Sequence, residues 1–269
     1  MRRKLNILVL LATVAVAGCN TTGGIYPDVP VDKNAGSSAN IESLTQVVNA
    51  NPNDATAYNV RGTAYGRAGK LDNALSDFTQ ALSLDPNYYQ AYANRALVYR
   101  RMGKDQQAIA DYNNALRFKP DYEVALIGRG NVYRQTGQLT RALADFDSAI
   151  RLNSGDARAF HNRGLIYQAQ GQHSFAIEDF STAIGLNPKA PAPHTGRGIS
   201  YLAVGDANAA LEDLTVAVNL DKRYASAWAN RGLALEKLGE TTKARTSFSR
   251  ALQIEPGNDI AKEGLRRLG

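Results

Sequence analysis

From residue 55 to residue 258 the same order of large, small and polar positions returns every 34 residues. Pro52, Pro86, Pro120, Pro188 and Pro256 mark this period, and Ser154 and Lys222 stand in the two remaining slots. Cutting three residues after each slot gives six copies: 55–88, 89–122, 123–156, 157–190, 191–224 and 225–258. Position 4 of each copy is large in most cases: Tyr58, Tyr92, Leu126, Phe160, His194 and Trp228. Position 11 is Tyr65, Tyr99, Tyr133, Tyr167, Tyr201 and Leu235, and position 24 is Phe78, Tyr112, Phe146, Phe180, Leu214 and Phe248. Position 8 is small throughout (Gly62, Ala96, Gly130, Gly164, Gly198, Gly232), and positions 20 and 27 are alanine in every copy. Small columns let two helices approach closely, and large ones fill the space between them. Position 15 is always glycine, from Gly69 to Gly239, which suits a helix end that needs positive φ. The proline at position 32 stops a second helix. Each copy is therefore predicted to be a helix-turn-helix hairpin.

These columns resemble the tetratricopeptide repeat, or TPR. The resemblance covers about three-quarters of the chain and implies an all-α, right-handed superhelical solenoid of six repeats with partial capping helices. Residues 40–52, with Ile41, Leu44, Val47 and Val48 on one face, read as a second helix without its first. Residues 259–269 carry Ala261, Leu265 and Leu268 against Lys262, Arg266 and Arg267, the pattern of a short solvating cap. Repeat arrays need such ends because terminal repeats otherwise expose core.

Two charged columns run alongside. Position 7 is arginine in every repeat (Arg61, Arg95, Arg129, Arg163, Arg197, Arg231), and position 23 is aspartate in the first five (Asp77, Asp111, Asp145, Asp179, Asp213). The sixth repeat has Ser247, and no further arginine follows it. The expectation is a structural pair between repeats: Asp77 with Arg95, Asp111 with Arg129, Asp145 with Arg163, Asp179 with Arg197 and Asp213 with Arg231.

The first residues have another pattern. Arg2, Arg3 and Lys4 precede an apolar run from Leu5 to Ala17, which is shorter than the about 20 residues a membrane-spanning helix needs. Residues 1–18 read as a cleavable signal peptide. Val16-Ala17-Gly18-Cys19 resembles the lipobox of bacterial lipoproteins. The resemblance implies lipidation of Cys19 and a stable anchor, since each buried CH₂ adds about 0.8 kcal/mol. Asn20 after the cysteine implies the outer membrane, facing the periplasm. Residues 19–39 are rich in Gly, Pro, Ser and Thr and read as a tether reaching roughly 25 Å. The net charge of +6 falls to about +3 once the three basic residues of the signal are removed. That bias is too mild to imply nucleic acid.

No catalytic constellation is visible. The three histidines, His161, His173 and His194, belong to no metal-ligand spacing, and the single cysteine is Cys19. The expectation is no enzyme, no cofactor and no metal. In TPR proteins the first helices line a concave groove, with positions 2, 5, 9, 12 and 13 facing it. Here those positions offer Asn59, Thr63, Arg67, Gln90, Arg100, Arg101, Asn131 and Arg134 toward the amino end. Toward the carboxy end they offer His161, Leu165, Ile199, Leu202, Ala203 and Leu233. A basic, polar stretch beside an apolar one suggests a partner segment with acidic and hydrophobic parts. The bland alternative makes the arginines a solvated face and the leucines inter-repeat core. A carboxylate clamp would need lysine at position 5, which holds Asn59, Ala93, Ile127, His161, Thr195 and Ala229. The whole is similar to TPR lipoproteins of two kinds: envelope adaptors that gather cell-wall hydrolases and proteases, and type IV pilus pilotins that escort a secretin. The residues leave both open, and pairing of two copies through the array ends stays open too.

Overall fold

The computed structural model describes residues 35–269. The expected signal peptide, Cys19 and most of the tether lie outside the described residues. Every regular element among the described residues is an α-helix. Helix α1 spans Ser38–Ala50. The first helices of the six repeats are α2 (Ala55–Arg67), α4 (Tyr89–Arg101), α6 (Glu123–Gln135), α8 (Ala157–Ala169), α10 (Pro191–Ala203) and α12 (Ala225–Lys237). Their second helices are α3 (Leu71–Leu84), α5 (Asp105–Phe118), α7 (Leu139–Leu152), α9 (His173–Leu186), α11 (Ala207–Leu220) and α13 (Thr241–Ile254), and α14 (Asp259–Arg267) closes the array. Each helix packs on its hairpin partner and on the adjoining repeat, so the core runs as a continuous stripe along a solenoid of TPR hairpins.

Three helix starts show how local sequence sets the boundaries. Asp54 accepts from the Thr56 N–H at 2.8 Å and Asp156 from the Arg158 N–H at 2.9 Å, which caps α2 and α8. At the amino end Ser37 accepts from Asn40 N–H. That cap starts α1 at Ser38, so residues 38 and 39 belong to the capping helix and not to the tether.

The turn inside each hairpin has one construction. In repeat 1 the glycine at position 15, Gly69, has φ of 76°, and the N–H of Lys70 donates back to the Tyr65 carbonyl at 2.9 Å. The same bond joins Lys104 to Tyr99, Gln138 to Tyr133, Gln172 to Tyr167, Asp206 to Tyr201 and Glu240 to Leu235. This is a Schellman closure, in which the left-handed glycine lets the next N–H satisfy a carbonyl that the ending helix leaves open.

Position 24 is the centre of the packing. Phe78, Phe146, Phe180, Leu214 and Phe248 are almost fully buried. A Cβ placed on Gly62 would lie 2.9 Å from the Phe78 ring, so the small residue at position 8 is what seats the aromatic of its own hairpin. On the other side the ring meets position 6 of the next repeat. A Cβ on Gly128 would come within 2.5 Å of the Tyr112 ring and hydroxyl, and one on Gly196 within 2.6 Å of Phe180. This second position was not read from the sequence, because it is Val60 in repeat 1 and then alternates between asparagine and glycine. The carboxy-terminal cap repeats it: Gly264 of α14 receives Phe248, while Ala261 is fully buried and Lys262, Glu263 and Arg266 face water. Helix α14 is thus the first helix of a seventh repeat whose outer side is solvated.

Candidate protein-binding groove

The first helices carry two functional faces, and the arginine column occupies one of them. In repeat 1, Arg61 Nε donates to Asp77 Oδ2 at 2.8 Å and Nη2 donates to Oδ1 at 2.7 Å. The same fork joins Arg95 to Asp111, Arg129 to Asp145, Arg163 to Asp179 and Arg197 to Asp213. Every pair lies within one repeat. The expected pairs of Asp77 with Arg95, Asp111 with Arg129, Asp145 with Arg163, Asp179 with Arg197 and Asp213 with Arg231 do not form. The reason is the hairpin: positions 7 and 23 face each other across its two antiparallel helices, so the nearest carboxylate belongs to the same repeat.

Inter-repeat contact still passes through the arginine, by its remaining nitrogen. Arg95 Nη1 donates to Thr79 Oγ1, Arg129 Nη1 to Asn113 Oδ1, Arg163 Nη1 to Asp147 Oδ1 and Arg197 Nη1 to Ser181 Oγ. These acceptors all hold position 25 of the preceding repeat, and Thr45 of α1 takes the same place for Arg61 at 3.5 Å. The signal was present as a column of short polar side chains two residues after the aspartate. One guanidinium therefore clamps its own hairpin bidentately and fixes the neighbour with one further bond. Aromatic rings flank it, with the Arg61 guanidinium 5.6 Å from the Tyr58 ring centre and 5.8 Å from that of Tyr65. Positions 4 and 11 thus hold the cation as well as filling space.

The electrostatics follow the partners. The hydrogen bond donated to the aspartate raises the pKa of Arg61, Arg95, Arg129, Arg163 and Arg197. Arg231 lacks a carboxylate: Nε donates to Thr215 and Nη1 to Ser247, and burial lowers its pKa. Burial also pushes Asp179 above the usual carboxylate range despite Arg163. At Asp213 burial pulls the same way, but Arg197 and a second bond from His194 outweigh it and leave the pKa low. His194, expected to replace a core aromatic, is buried and 3.1 Å from that carboxylate.

The other face of the first helices lines the groove, and its expected residues divide by exposure. Arg67 and Arg101 are exposed, although Arg101 Nη1 is tied to the Gly66 carbonyl at 2.6 Å. Thr63, Gln90, Arg100, Arg134, Leu165 and Ile199 are half-buried. Asn59, Asn131, His161 and Leu202 are buried, so they lie beneath the surface and not on it. Packing within and between hairpins covers them: Asn59 is bonded to Tyr88 and Asn94, Leu202 packs with Leu214 and Ala234, and the His161 ring lies 5.6 Å from that of Phe180. Position 6 was missed altogether. Asn94 Nδ2 donates to Asn59 Oδ1 across repeats 1 and 2, and Asn162 is buried at repeat 4. Among the described residues no three His, Cys, Asp or Glu side chains converge as a metal site. No described helix is long and apolar enough to cross a membrane.

Comparison with known proteins agrees with this architecture. The family model described as tetratricopeptide repeat matches residues 55–88, 89–122, 157–190 and 225–258, which together make half of the chain, and one described as TPR repeat matches residues 130–171. No curated protein sequence matches the chain. Among solved structures, a chain of the APC/C hetero-tetramer Cut9–Hcn1 superposes with a TM-score of 0.79 at 21% identity, over 87% of this chain and 46% of that one. This chain therefore spans about half the length of that relative. A tetratricopeptide repeat protein from Parabacteroides merdae gives 0.64 at 27% identity over 86% of this chain and 91% of that one. PilW, described as a widely conserved type IV pilus biogenesis factor, gives 0.70 at 18% identity over 78% and 98%. The hairpins, their turns and the matched repeats together carry the assignment: this chain belongs to the tetratricopeptide-repeat family, whose fold is a scaffold for protein–protein interaction.

Proposed function

We propose that this chain is a lipid-anchored adaptor of the bacterial outer membrane, facing the periplasm and holding partner segments in its concave groove. The observation that carries the binding part is the half-buried line of Arg100, Arg134, Gln90 and Thr63 beside the apolar Leu165 and Ile199. Unlike the arginines of position 7, Arg100 and Arg134 fill position 12 only in repeats 2 and 3, so the basic stretch belongs to one part of the array. The anchoring part rests on Arg2-Arg3-Lys4, the short apolar run and Val16-Ala17-Gly18-Cys19. Tethering by lipid confines the groove to a thin layer and raises the effective concentration of whatever it gathers. Cell-envelope biogenesis and the regulation of cell-wall enzymes are the roles this arrangement serves best.

The test is a crosslinking pull-down from intact envelopes, comparing the native chain with Arg100→Glu/Arg134→Glu. Cell-wall hydrolases or proteases should come down with the native chain and be lost from the variant, while identical recovery from both would remove the groove from the account. Cys19→Ser should release the chain from the membrane fraction; retention there would end the lipoprotein reading. A second reading, an assembly factor for a secretin or another outer-membrane complex, is favoured by the likeness to PilW. Recovery of a secretin in the same pull-down would select it.

A further inference from the structure

Helix α1 holds the place of a second helix, yet among the described residues no first helix precedes it. Its register in the array is fixed by Thr45, which meets Arg61 as Thr79 meets Arg95 one repeat later. By that register Leu44 stands at position 24 and Val47 at position 27. Position 27 faces the first helix of its own hairpin, as Ala81 does in clustering with Ala55 and Tyr58. The six alanines of this column, from Ala81 to Ala251, are at most 1% exposed, whereas Val47 is 44% exposed. Position 6 shows the same contrast. It receives the position-24 side chain of the repeat before, as Gly128 receives Tyr112 and Gly196 receives Phe180. Asn162, Gly196 and Asn230 are buried there, but Val60, which the register sets against Leu44, is 44% exposed. Leu44, Val47 and Val60 make an apolar ledge at the amino end, on the side that a first helix covers in every repeat.

The chain enters the array at the edge of this ledge. The Ala35 carbonyl accepts from Asn40 Nδ2 at 2.6 Å, and a Cβ on Gly36 would lie 2.9 Å from the Ala68 nitrogen at the end of α2. Residues 35 and 36 are thereby fixed at the turn from which a first helix would run back antiparallel to α1. Residues 21–33, which come before them, match the 13 residues of a first helix in number but not in kind. They read TTGGIYPDVPVDK, with Gly24 and Asp28 at positions 4 and 8 and with Pro27 and Pro30 inside. Prolines so placed suit an extended chain and oppose a helix. The apolar residues are Ile25, Tyr26, Val29 and Val31. Counted from Gly36, Leu44 and Val47 lie about 12 and 16 Å along α1, and Val31 and Val29 lie about 16 and 22 Å along an extended chain. The segment has the length to bring its valines onto the ledge.

We propose that residues 25–33 of this chain fold back over the ledge in extended form. Val29 and Val31 then rest against Leu44, Val47 and Val60 and take the place of a first helix. The segment acts as a latch. Once it is docked, only residues 20–24 separate Cys19 from the array, a reach of roughly 12 Å against about 22 Å for residues 20–35 undocked. On the lipoprotein reading, to which this consequence alone is tied, the latch holds the amino end of the solenoid next to the membrane.

The experiment is maleimide labelling of the full-length chain in detergent carrying Val47→Cys, with the modified site located by mass spectrometry. Adding Val29→Asp and Val31→Asp should speed labelling at residue 47 about fivefold by emptying the ledge. Labelling of a Val204→Cys control, at a side chain 53% exposed beyond the end of α10, should not change. Thermal melts establish that the array stays folded in each variant. In a second arm, the pair Val31→Cys/Val47→Cys should close an intramolecular disulfide about tenfold faster than Gly23→Cys/Val47→Cys. Unchanged labelling at residue 47, equal acceleration at residue 204, or equal closure rates for the two pairs would overturn the proposal. Disulfide-linked dimers in place of the internal bond would assign the ledge to a second copy. Protection of residue 47 only after envelope extract is added would assign it to a partner protein, and either result would remove the latch. Label found on Cys19 as well would end the lipoprotein reading without touching the latch, and the envelope pull-down tests the groove separately.

Discussion

Arg129 and Arg134 are five residues apart on α6, carry the same charge and are both partly covered, yet their surroundings differ completely. Arg129 forks onto Asp145 with bonds of 2.9 and 2.7 Å and adds a third to Asn113 in the repeat before it. Arg134 carries a buried Nε without a partner. The first belongs to a column that every repeat shares, and the second to a position held by Gly66, Arg100, Arg134, Gln168, Leu202 and Glu236 along the array. In a solenoid, a side chain that recurs in every repeat answers a contact that recurs in every repeat. A side chain that does not recur answers a contact of its own place, as Gln168 does with Gly196 and Ser200 and Glu236 with Arg267.

The strongest way to break this comparison is to remove a carboxylate from the regular column. Asp145→Ala leaves Arg129 half-buried without its counter-ion and should destabilise the protein by about 3 kcal/mol, the scale for breaking a buried pair, read as a shift in the urea midpoint. A loss below about 1 kcal/mol would mean that the fork is ornamental. Next in size is the assignment of partners. A double-mutant cycle on Arg95 and Asp111 should give a coupling of about 2 kcal/mol, and one on Arg129 and Asp111 less than about 0.5 kcal/mol. The reverse order would restore pairing between repeats.

The sixth repeat sharpens the same comparison from the other side. Arg231 has Thr215 and Ser247 in place of a carboxylate, so Ser247→Asp should complete the fork and stabilise the carboxy-terminal hairpin by about 1 kcal/mol. A lower melting temperature would show that the buried Ser247 site has no room for the larger group. The smallest expected effect lies in the groove: Arg134→Gln should change stability by less than about 0.5 kcal/mol while weakening partner capture. A large loss of stability there would mark Arg134 as another structural arginine.

Much of this molecule is legible before any coordinates. The period of 34, the glycines at position 15 and the small residues at positions 8, 20 and 27 specify helix-turn-helix hairpins, because each meets a requirement local to one hairpin. The candidate groove was only partly legible. Arg67 and Arg101 are exposed, but Asn59, Asn131, His161 and Leu202 are buried, and a position-by-position reading has no measure of how closely the surrounding helices approach. The position-6 column escaped notice because no single residue type marks it: Val60, Asn94, Gly128, Asn162, Gly196 and Asn230, with Tyr112 and Phe180 pressing against the two glycines.

What the sequence alone determined is the repeating unit: its length, its two helices, its turn and the residues that must be small or large within it. Two matters waited for the tertiary structure. One is the partner of each arginine, since Asp77 is as available in sequence to Arg95 as to Arg61, and only the antiparallel packing of α2 on α3 brings Arg61 within 2.7 Å. The other is which polar atoms remain unmatched, because hydrogen-bond satisfaction is a property of the packed ensemble of neighbours. Periodicity encodes contacts within the chain's own repeats; the orphaned atoms at Asn131, Arg134, His161 and Asn162 appear only once all those contacts have been made.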